Sequence, residues 1–176
     1  MIKIINIETP IGEMVAGATD EGICLLEFSD RRMLTTEYKD LTRLLKTKME
    51  DGENEHLKQL KKQLKEYFNG NRKEFSVPLV TPGSEFQKAV WKELQNIPYG
   101  TSRSYQEQAI ALNRPDSTRA VANANGMNRI SIVIPCHRVI GADGHLTGYG
   151  GGLKRKRWLL YHERKYSGKP VDLSLF

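Results

Sequence analysis

The stretch that decides the fold of this chain is ISIVIPCHRVIGADG, residues 130–144. Its first five residues are mostly β-branched and apolar, which predicts a buried strand over 130–134. Pro135 then ends the ladder pairing, because proline has no N–H to donate. We therefore expect Cys136 where a strand leaves the core, at a point where a side chain is held rigidly and still faces a cleft.

The surroundings of Cys136 favour a reactive thiolate. His137 and Arg138 follow it directly, and four more basic residues lie downstream at 154–157; cationic neighbours favour the nucleophilic form of a thiol. Neighbouring side chains on a strand point opposite ways, so Cys136 and His137 cooperate only if the backbone turns at Pro135, or through a water. From the residues alone, a reactive cysteine and an inert buried thiol both stay open. Cys24, inside the apolar stretch GICLLEF, is interpreted as inert.

Composition indicates an ordinary globular protein with a basic C-terminal part. The chain has 176 residues, 39% of them hydrophobic and 27% charged. It contains neither a membrane-length apolar run nor a signal-peptide pattern, and its two cysteines are interpreted as thiols, so we expect a cytoplasmic protein. Net charge is −1 over residues 1–100 and +7 over 101–176, which indicates a polyanionic partner or a solvated basic surface. The scattered cysteines and histidines show no metal-ligand spacing, so we expect no metal and no cofactor.

The chain is predicted to form two domains, an α/β domain over 1–80 and a second domain over 81–176. Strands fill the first thirty residues, and helices are predicted over 33–48 and 57–68. The second domain opens with the capping box SEFQ at Ser84.

Two short helices, 104–112 and 118–126, flank the turn NRPDS and predict a helix-turn-helix. Asp116 or Ser117 is expected to cap the second helix, and Gly126 to end it. That helix is rich in small residues, which would let its backbone approach a surface closely: Ala120, Ala122, Asn123, Ala124 and Asn125.

The heptad IPCHRVI resembles the active-site signature of the O6-alkylguanine-DNA alkyltransferases, which take an alkyl group from a damaged base onto their own cysteine. The resemblance runs from about Ser84 to Glu163, and its spacings agree. Five elements occur in order around the heptad: SYQ with Tyr105, RAV with Arg119, Asn128, GYGGG with Tyr149, and KRWLLYHE ending in Glu163.

The resemblance implies a fold and a set of catalytic roles. The fold is a ribonuclease H-like α/β domain followed by a winged-helix-like helix-turn-helix domain. Cys136 is the nucleophile, His137 draws off its proton through a water, and Glu163 orients His137. Tyr105 faces the leaving guanine, with Lys156 as a helper.

The resemblance also implies how alkylated double-stranded DNA is bound, by a monomer that needs neither a protein partner nor a membrane. The damaged base is extruded from the duplex, and Arg119 fills the gap that it leaves. The remaining DNA contacts are assigned to the helix-turn-helix: Ser104, Ala120, Asn123 and Ala124. The substrate pocket is assigned to Asn128, Val139, Tyr149 and Gly150; Asn128 also ties the helix-turn-helix to the cysteine segment. O4-alkylthymine is an expected second substrate. Some family members carry a serine at the position of Gly150.

Three other functions are weighed against this one. A thiol hydrolase would also use a cysteine, a histidine and an acid, but it would turn over and would leave the helix-turn-helix unexplained. A non-enzymatic lesion binder would lack the cysteine. A winged-helix transcription factor would need side chains suited to base edges, and an Ala/Asn-rich helix offers few of these.

Overall fold

A computed structural model of the chain describes residues 1–170. The chain divides into two compact units, Met1–Gly83 and a second unit from Ser84 onward. The predicted boundary between residues 80 and 81 lies close to this division. Within residues 1–170, no helix is long and apolar enough to cross a membrane.

The first unit is a four-stranded sheet with two helices. The chain order is β1 (Ile2–Thr9), β2 (Gly12–Ala18), β3 (Ile23–Phe28), α1 (Leu34–Leu44), β4 (Met49–Asp51) and α2 (Glu55–Phe68). The sheet order is β3-β2-β1-β4. The first three strands are antiparallel, and β4 runs parallel to β1.

Helix α2 shows how the sequence pattern builds this unit. Its predicted apolar positions Leu57, Leu60 and Leu64 are buried. The helix begins two residues earlier than predicted, because the Asn54 side chain caps it by accepting a hydrogen bond from the Leu57 N–H at 3.0 Å.

The second unit is mainly helical. Its order is α3 (Glu85–Leu94), β5 (Arg103–Ser104), α4 (Tyr105–Ala111), α5 (Thr118–Gly126), a 3₁₀ turn (Cys136–Arg138), β6 (Val139–Ile140) and α6 (Leu153–Tyr166). Strands β5 and β6 pair in parallel. The predicted capping box of α3 is confirmed, since Ser84 and Gln87 exchange hydrogen bonds.

The two helices of the predicted helix-turn-helix are present as α4 and α5, but their ends differ in detail. Ser104 caps α4 in a second capping box, with Glu107. Ser117 stands at the N-cap of α5 without a side-chain cap bond. Gly126 belongs to the last turn of α5 and is not a left-handed C-cap, so the prediction that it closes the helix as a glycine cap is wrong.

The predicted strand over 130–134 is wrong, although the predicted burial is correct. The N–H groups of Val133 and Ile134 donate to the carbonyls of Ser131 and Ile130 at 2.8 and 3.0 Å, so the backbone coils into a turn. Ile132 takes a left-handed conformation with φ of +72°, uncommon for a β-branched residue. Ile130, Ile132 and Ile134 are all buried. A short apolar run reports burial, but it does not distinguish a strand from a buried turn.

Candidate active site

The thiol of Cys136 opens onto a cavity of about 360 Å³ in the second unit. Cys136 is the first residue of the 3₁₀ turn and is partly exposed. The cavity walls come from α4, α5, the cysteine and the loop before α6: Tyr105, Ala122, Asn125, Gly126, Cys136, Thr147, Gly148, Tyr149 and Gly150. Apart from Tyr105 and Tyr149, the residues that line the cavity are small.

His137 lies behind the cysteine and is fully buried. Its Nε2 is 2.7 Å from Oε2 of Glu163. Its other ring nitrogen, Nδ1, is buried and has no hydrogen-bond partner among residues 1–170. Because the 3₁₀ turn replaces an extended strand, the rule that neighbouring side chains point opposite ways does not apply here. The structure brings together the predicted pair His137 and Glu163.

Arg138 completes this buried network, whereas the sequence indicated it only as a cation that favours the thiolate. Its Nε and a terminal nitrogen donate to the two carboxylate oxygens of Glu163 at 2.8 and 3.1 Å. Its other terminal nitrogen donates to the Ile97 carbonyl at 2.7 Å. Such a bidentate pair is among the strongest ionic hydrogen bonds in proteins. Arg138 therefore supplies the positive charge that the buried Glu163 needs.

Burial favours the neutral form of His137 in this network. Burial alone would raise the pKa of Glu163, but His137 and Arg138 hold it well below its usual range. Burial lowers the pKa of His137, and this outweighs the opposing effect of Glu163. Since the Glu163 carboxylate accepts, the proton of a neutral His137 sits on Nε2 and Nδ1 keeps its lone pair. His137 is thus prepared to accept a proton at Nδ1.

These pKa shifts predict that stability falls with falling pH. Both groups have a lower pKa in the folded than in the unfolded chain, so their stabilisation is present above the unfolded values. It is lost as pH drops below about 6.5 for His137 and then below about 4.5 for Glu163. Urea unfolding between pH 7.5 and 4 measures this loss. Stability that rises as pH falls from 6.5 to 5 would contradict the assignment.

Asn128 holds the turn that presents the cysteine. Its Nδ2 donates to the Ile134 carbonyl at 2.9 Å and lies 3.3 Å from Sγ of Cys136. Its Oδ1 accepts from the Ile130 N–H at 2.9 Å. One buried amide thereby satisfies backbone groups that a strand partner would otherwise satisfy. Asn128 was predicted in the substrate pocket; it lies beside the thiol and is not among the residues that line the cavity.

Lys156 is buried and binds backbone rather than the cavity. Its Nζ donates to the carbonyls of Val139, Thr147 and Gly148 at 2.6, 2.7 and 3.4 Å. Burial lowers its pKa to about 8. Three carbonyls use all three N–H donors of an ammonium group. Lys156 thereby joins the cavity loop to β6. Its predicted role as a helper at the leaving guanine stays a prediction.

The loop before α6 and the start of α4 form the opposite wall of the cavity. Tyr105 places its hydroxyl 3.4 Å from both the carbonyl and the side-chain oxygen of Thr147. Tyr149 and Gly150 line the same space, as predicted for the substrate pocket. Val139, also predicted in the substrate pocket, is fully buried and is not among the residues that line the cavity. Its carbonyl accepts a hydrogen bond from Lys156.

The exposed face of α5 carries most of the predicted DNA contacts. Arg119, Ala120 and Asn123 are exposed, and Gly126 continues the same stripe. Ala124 does not belong to it: its side chain is buried in the core, and its carbonyl accepts from the Trp91 indole at 2.9 Å. Ser104 is partly exposed and uses its hydroxyl as the α4 cap.

Two family models match nearly the whole chain. The 6-O-methylguanine DNA methyltransferase ribonuclease-like domain matches residues 2–81, and the DNA binding domain of the same family matches residues 85–165. These matches confirm the predicted fold class.

Curated relatives carry the same function in their names. The methylated-DNA--protein-cysteine methyltransferase of Mycolicibacterium paratuberculosis is 57% identical over 65% of this chain and 68% of that protein. The constitutive enzyme of that name from Bacillus subtilis is 42% identical over 89% and 92%.

Solved structures support the same family assignment. The Mycobacterium tuberculosis O6-methylguanine methyltransferase superposes with a TM-score of 0.81 at 39% identity, covering 100% of this chain and 99% of that one. The structure of M. tuberculosis OGT in complex with DNA gives a TM-score of 0.80 at 39% identity, covering 99% of both chains. Together with a thiol that opens onto a cavity beside a helix-turn-helix, these matches define the class of protein as a DNA-repair alkyltransferase. The chain belongs to the 6-O-methylguanine DNA methyltransferase family.

Proposed function

We propose that this chain repairs DNA by transferring the alkyl group of O6-alkylguanine, and of O4-alkylthymine, to its own Cys136. One observation carries this proposal: the Cys136 thiol opens onto a cavity while the buried His137–Glu163–Arg138 network lies behind it. The cavity is walled on one side by the helix-turn-helix and on the other by the loop 147–150.

The transfer is an in-line substitution at the alkyl carbon. His137 takes the thiol proton at Nδ1, by way of a water, while its Nε2–H stays bonded to Glu163. The thiolate forms a new S–C bond as the bond between the alkyl carbon and O6 breaks. The electron pair of that bond stays on guanine, which takes a proton as it leaves. Tyr105 is the proposed donor to the leaving base, because its hydroxyl lies on the cavity wall.

The helix-turn-helix gives access to the base. A base stacked in a duplex has to be extruded before the thiol reaches its alkyl carbon. We propose that the Arg119 side chain fills the space that the extruded base leaves between its neighbours in the duplex. The small exposed residues Ala120 and Asn123 contact the DNA, and Ser104 makes a further contact. Such contacts go mainly to the backbone, which suits a protein that examines any sequence.

Because the product is an alkylated cysteine, each protein molecule acts only once. A thioether is not reversed by thiol–disulfide exchange, so Cys136 stays alkylated. We further propose a monomeric, cytoplasmic protein that needs no protein partner; the absence of a metal and a cofactor from the reaction stays a prediction.

Single use has a measurable consequence. Mixed with excess duplex carrying O6-methylguanine, the protein should restore guanine until one base per protein is repaired, and then stop. Chromatography of the nucleosides measures the plateau. Continued repair beyond one equivalent would point to a thiol hydrolase, and binding without repair would point to a lesion binder.

Replacing Arg119 should slow the extrusion of the damaged base without slowing the transfer step itself. Arg119→Ala removes the group that fills the stack, so transfer from saturating duplex should slow about tenfold or more, since unstacking costs a few kcal/mol. Transfer from the free base O6-methylguanine should stay unchanged. Arg114→Ala is the matched control. Arg114 is also an exposed arginine of the helix-turn-helix, and its guanidinium group lies over the Phe86 ring. Equal losses on duplex and free base would contradict the role of Arg119.

A further inference from the structure

The segment between α3 and β5 contacts the buried network, and the proposed mechanism does not use it. The backbone N–H of Gly100 donates to Oε1 of Glu163 at 3.3 Å. The same oxygen accepts from Nε of Arg138 at 2.8 Å, whereas Oε2 faces Nε2 of His137 at 2.7 Å. A carboxylate is planar, so donors that fix Oε1 also fix the direction of Oε2. The Gly100 N–H therefore helps to direct Glu163 at His137.

Only a residue without a side chain fits at position 100. The backbone of Gly100 has φ of +77°, in the left-handed region that favours glycine. A Cβ built there would lie 2.7 Å from Cβ and 2.8 Å from Oγ of Ser167, closer than such atoms come in proteins. Ser167 follows Glu163 by one turn, and its N–H donates to the Glu163 carbonyl at 3.0 Å. A side chain at position 100 would therefore push this segment away from the part of α6 that carries Glu163.

The same segment also holds the other member of the ion pair. A terminal nitrogen of Arg138 donates to the Ile97 carbonyl at 2.7 Å. The Arg138 guanidinium group lies over the Tyr99 ring, 5.7 Å from its centre. Residues 97–100 thus contact both Arg138 and Glu163, and a displacement at position 100 would disturb the geometry between them.

We propose that Gly100 is a positioning residue for alkyl transfer, because its N–H and its lack of a side chain keep Glu163 directed at His137. This inference rests on the proposed function, in which His137 takes the thiol proton at Nδ1. The hydrogen bond to Glu163 keeps the proton of His137 on Nε2 only while Oε2 faces that nitrogen. If the carboxylate turns away, the proton can move to Nδ1, and the nitrogen that should accept the thiol proton is then occupied.

Gly100→Ala should lower the single-turnover transfer rate about tenfold, the size of effect expected when a hydrogen bond to a charged group is lost. The loss should be equal on duplex carrying O6-methylguanine and on the free base, because Gly100 is buried and acts on the transfer step. Gly168→Ala is the matched control. Gly168 has a similar φ of +74°, but a Cβ built there meets nothing within 4 Å. The control carries the same backbone strain without moving Glu163, so its rate should stay unchanged.

A second variant and a spectroscopic measurement separate this role from folding. Ser167→Gly removes the atoms that the new Cβ would contact, so the double variant Gly100→Ala/Ser167→Gly should recover part of the rate. Ser167→Gly alone should transfer at nearly the unmodified rate. All rates are measured below the lowest melting temperature of the set. The ¹⁵N signals of the His137 ring, assigned with a His137→Gln variant, report which nitrogen carries the proton, and Gly100→Ala should shift them towards the Nδ1-protonated form.

Four results would overturn the proposal. One is a Gly100→Ala rate equal to that of the unmodified chain, and another is an equal loss in Gly168→Ala. A lower rate with unchanged His137 signals would show that the substitution acts on the fold and not through Glu163. A Gly100→Ala chain that stays unfolded even with Ser167→Gly would limit Gly100 to a structural role. An unmodified chain that transfers no methyl group at all would instead overturn the proposed function.

Discussion

Replacing Cys136 by alanine abolishes alkyl transfer and leaves binding to alkylated duplex DNA intact. Transfer needs the sulfur as the atom that forms the new bond, and no neighbouring group in the cavity lining is a comparable nucleophile. Binding depends on the basic surface and the exposed face of α5, which the substitution does not touch. Transfer is followed by loss of O6-methylguanine from the duplex, and binding by fluorescence anisotropy.

Cys24→Ala is the matched control for this experiment. Cys24 is the other cysteine, and it lies buried in β3 of the first unit. The variant should transfer with the unmodified rate, although it loses some packing in the core of that unit. Transfer that survives in Cys136→Ala, or disappears in Cys24→Ala while that variant remains folded, would refute the assignment of the nucleophile.

Glu163→Gln should lower the transfer rate by about 10²–10⁴-fold, the usual contribution of a positioned base. The oxygen of the new side-chain amide can still accept from Arg138, but the NH₂ group of that amide then faces Nε2 of His137. Two donors cannot share one hydrogen bond, so His137 has to move its proton to Nδ1. The nitrogen that should accept the thiol proton is then blocked, although the size of the side chain at position 163 is unchanged. Single-turnover rates measured from pH 6 to 9 test this.

The same substitution should also destabilise the second unit by about 3–5 kcal/mol, because it leaves the charge of the buried Arg138 without its counterion. Glu93→Gln is the matched control: Glu93 pairs with Arg103 at 2.9 Å in a partly exposed position. Such pairs contribute about 1 kcal/mol or less, and Glu93→Gln should not change the transfer rate. A Glu163→Gln variant with the unmodified rate would show that the network only stabilises the fold.

The chemical character of the site could be predicted from the sequence, but the conformation of the backbone around it could not. The position of Cys136 at the edge of a buried segment followed from an apolar run ending in proline, and the structure places its thiol on a cavity. The strand assigned to that run was wrong. Its backbone hydrogen bonds go to the Asn128 side chain and to nearby carbonyls, and no local apolar pattern reports such partners.

Residues whose roles depend on distant partners could not be assigned from local pattern. Arg138 was noted only as a cation, because its partners Glu163 and Ile97 lie 25 and 41 residues away. Ala124 was assigned to a DNA surface because it is small, but only the packing of α5 on Trp91 shows which face of the helix it occupies. Gln108 and Asn125 are 17 residues apart and pair only because α4 and α5 pack together.

Intact-mass spectrometry can show whether Cys136 itself receives the alkyl group. The protein is mixed with duplex DNA carrying one O6-methylguanine, its mass is measured, and its peptides are mapped. We expect a gain of one methyl group per protein on the peptide that contains Cys136, with no further gain on longer incubation. An unchanged mass in the presence of bound DNA, or a methyl group on a different residue, would contradict it.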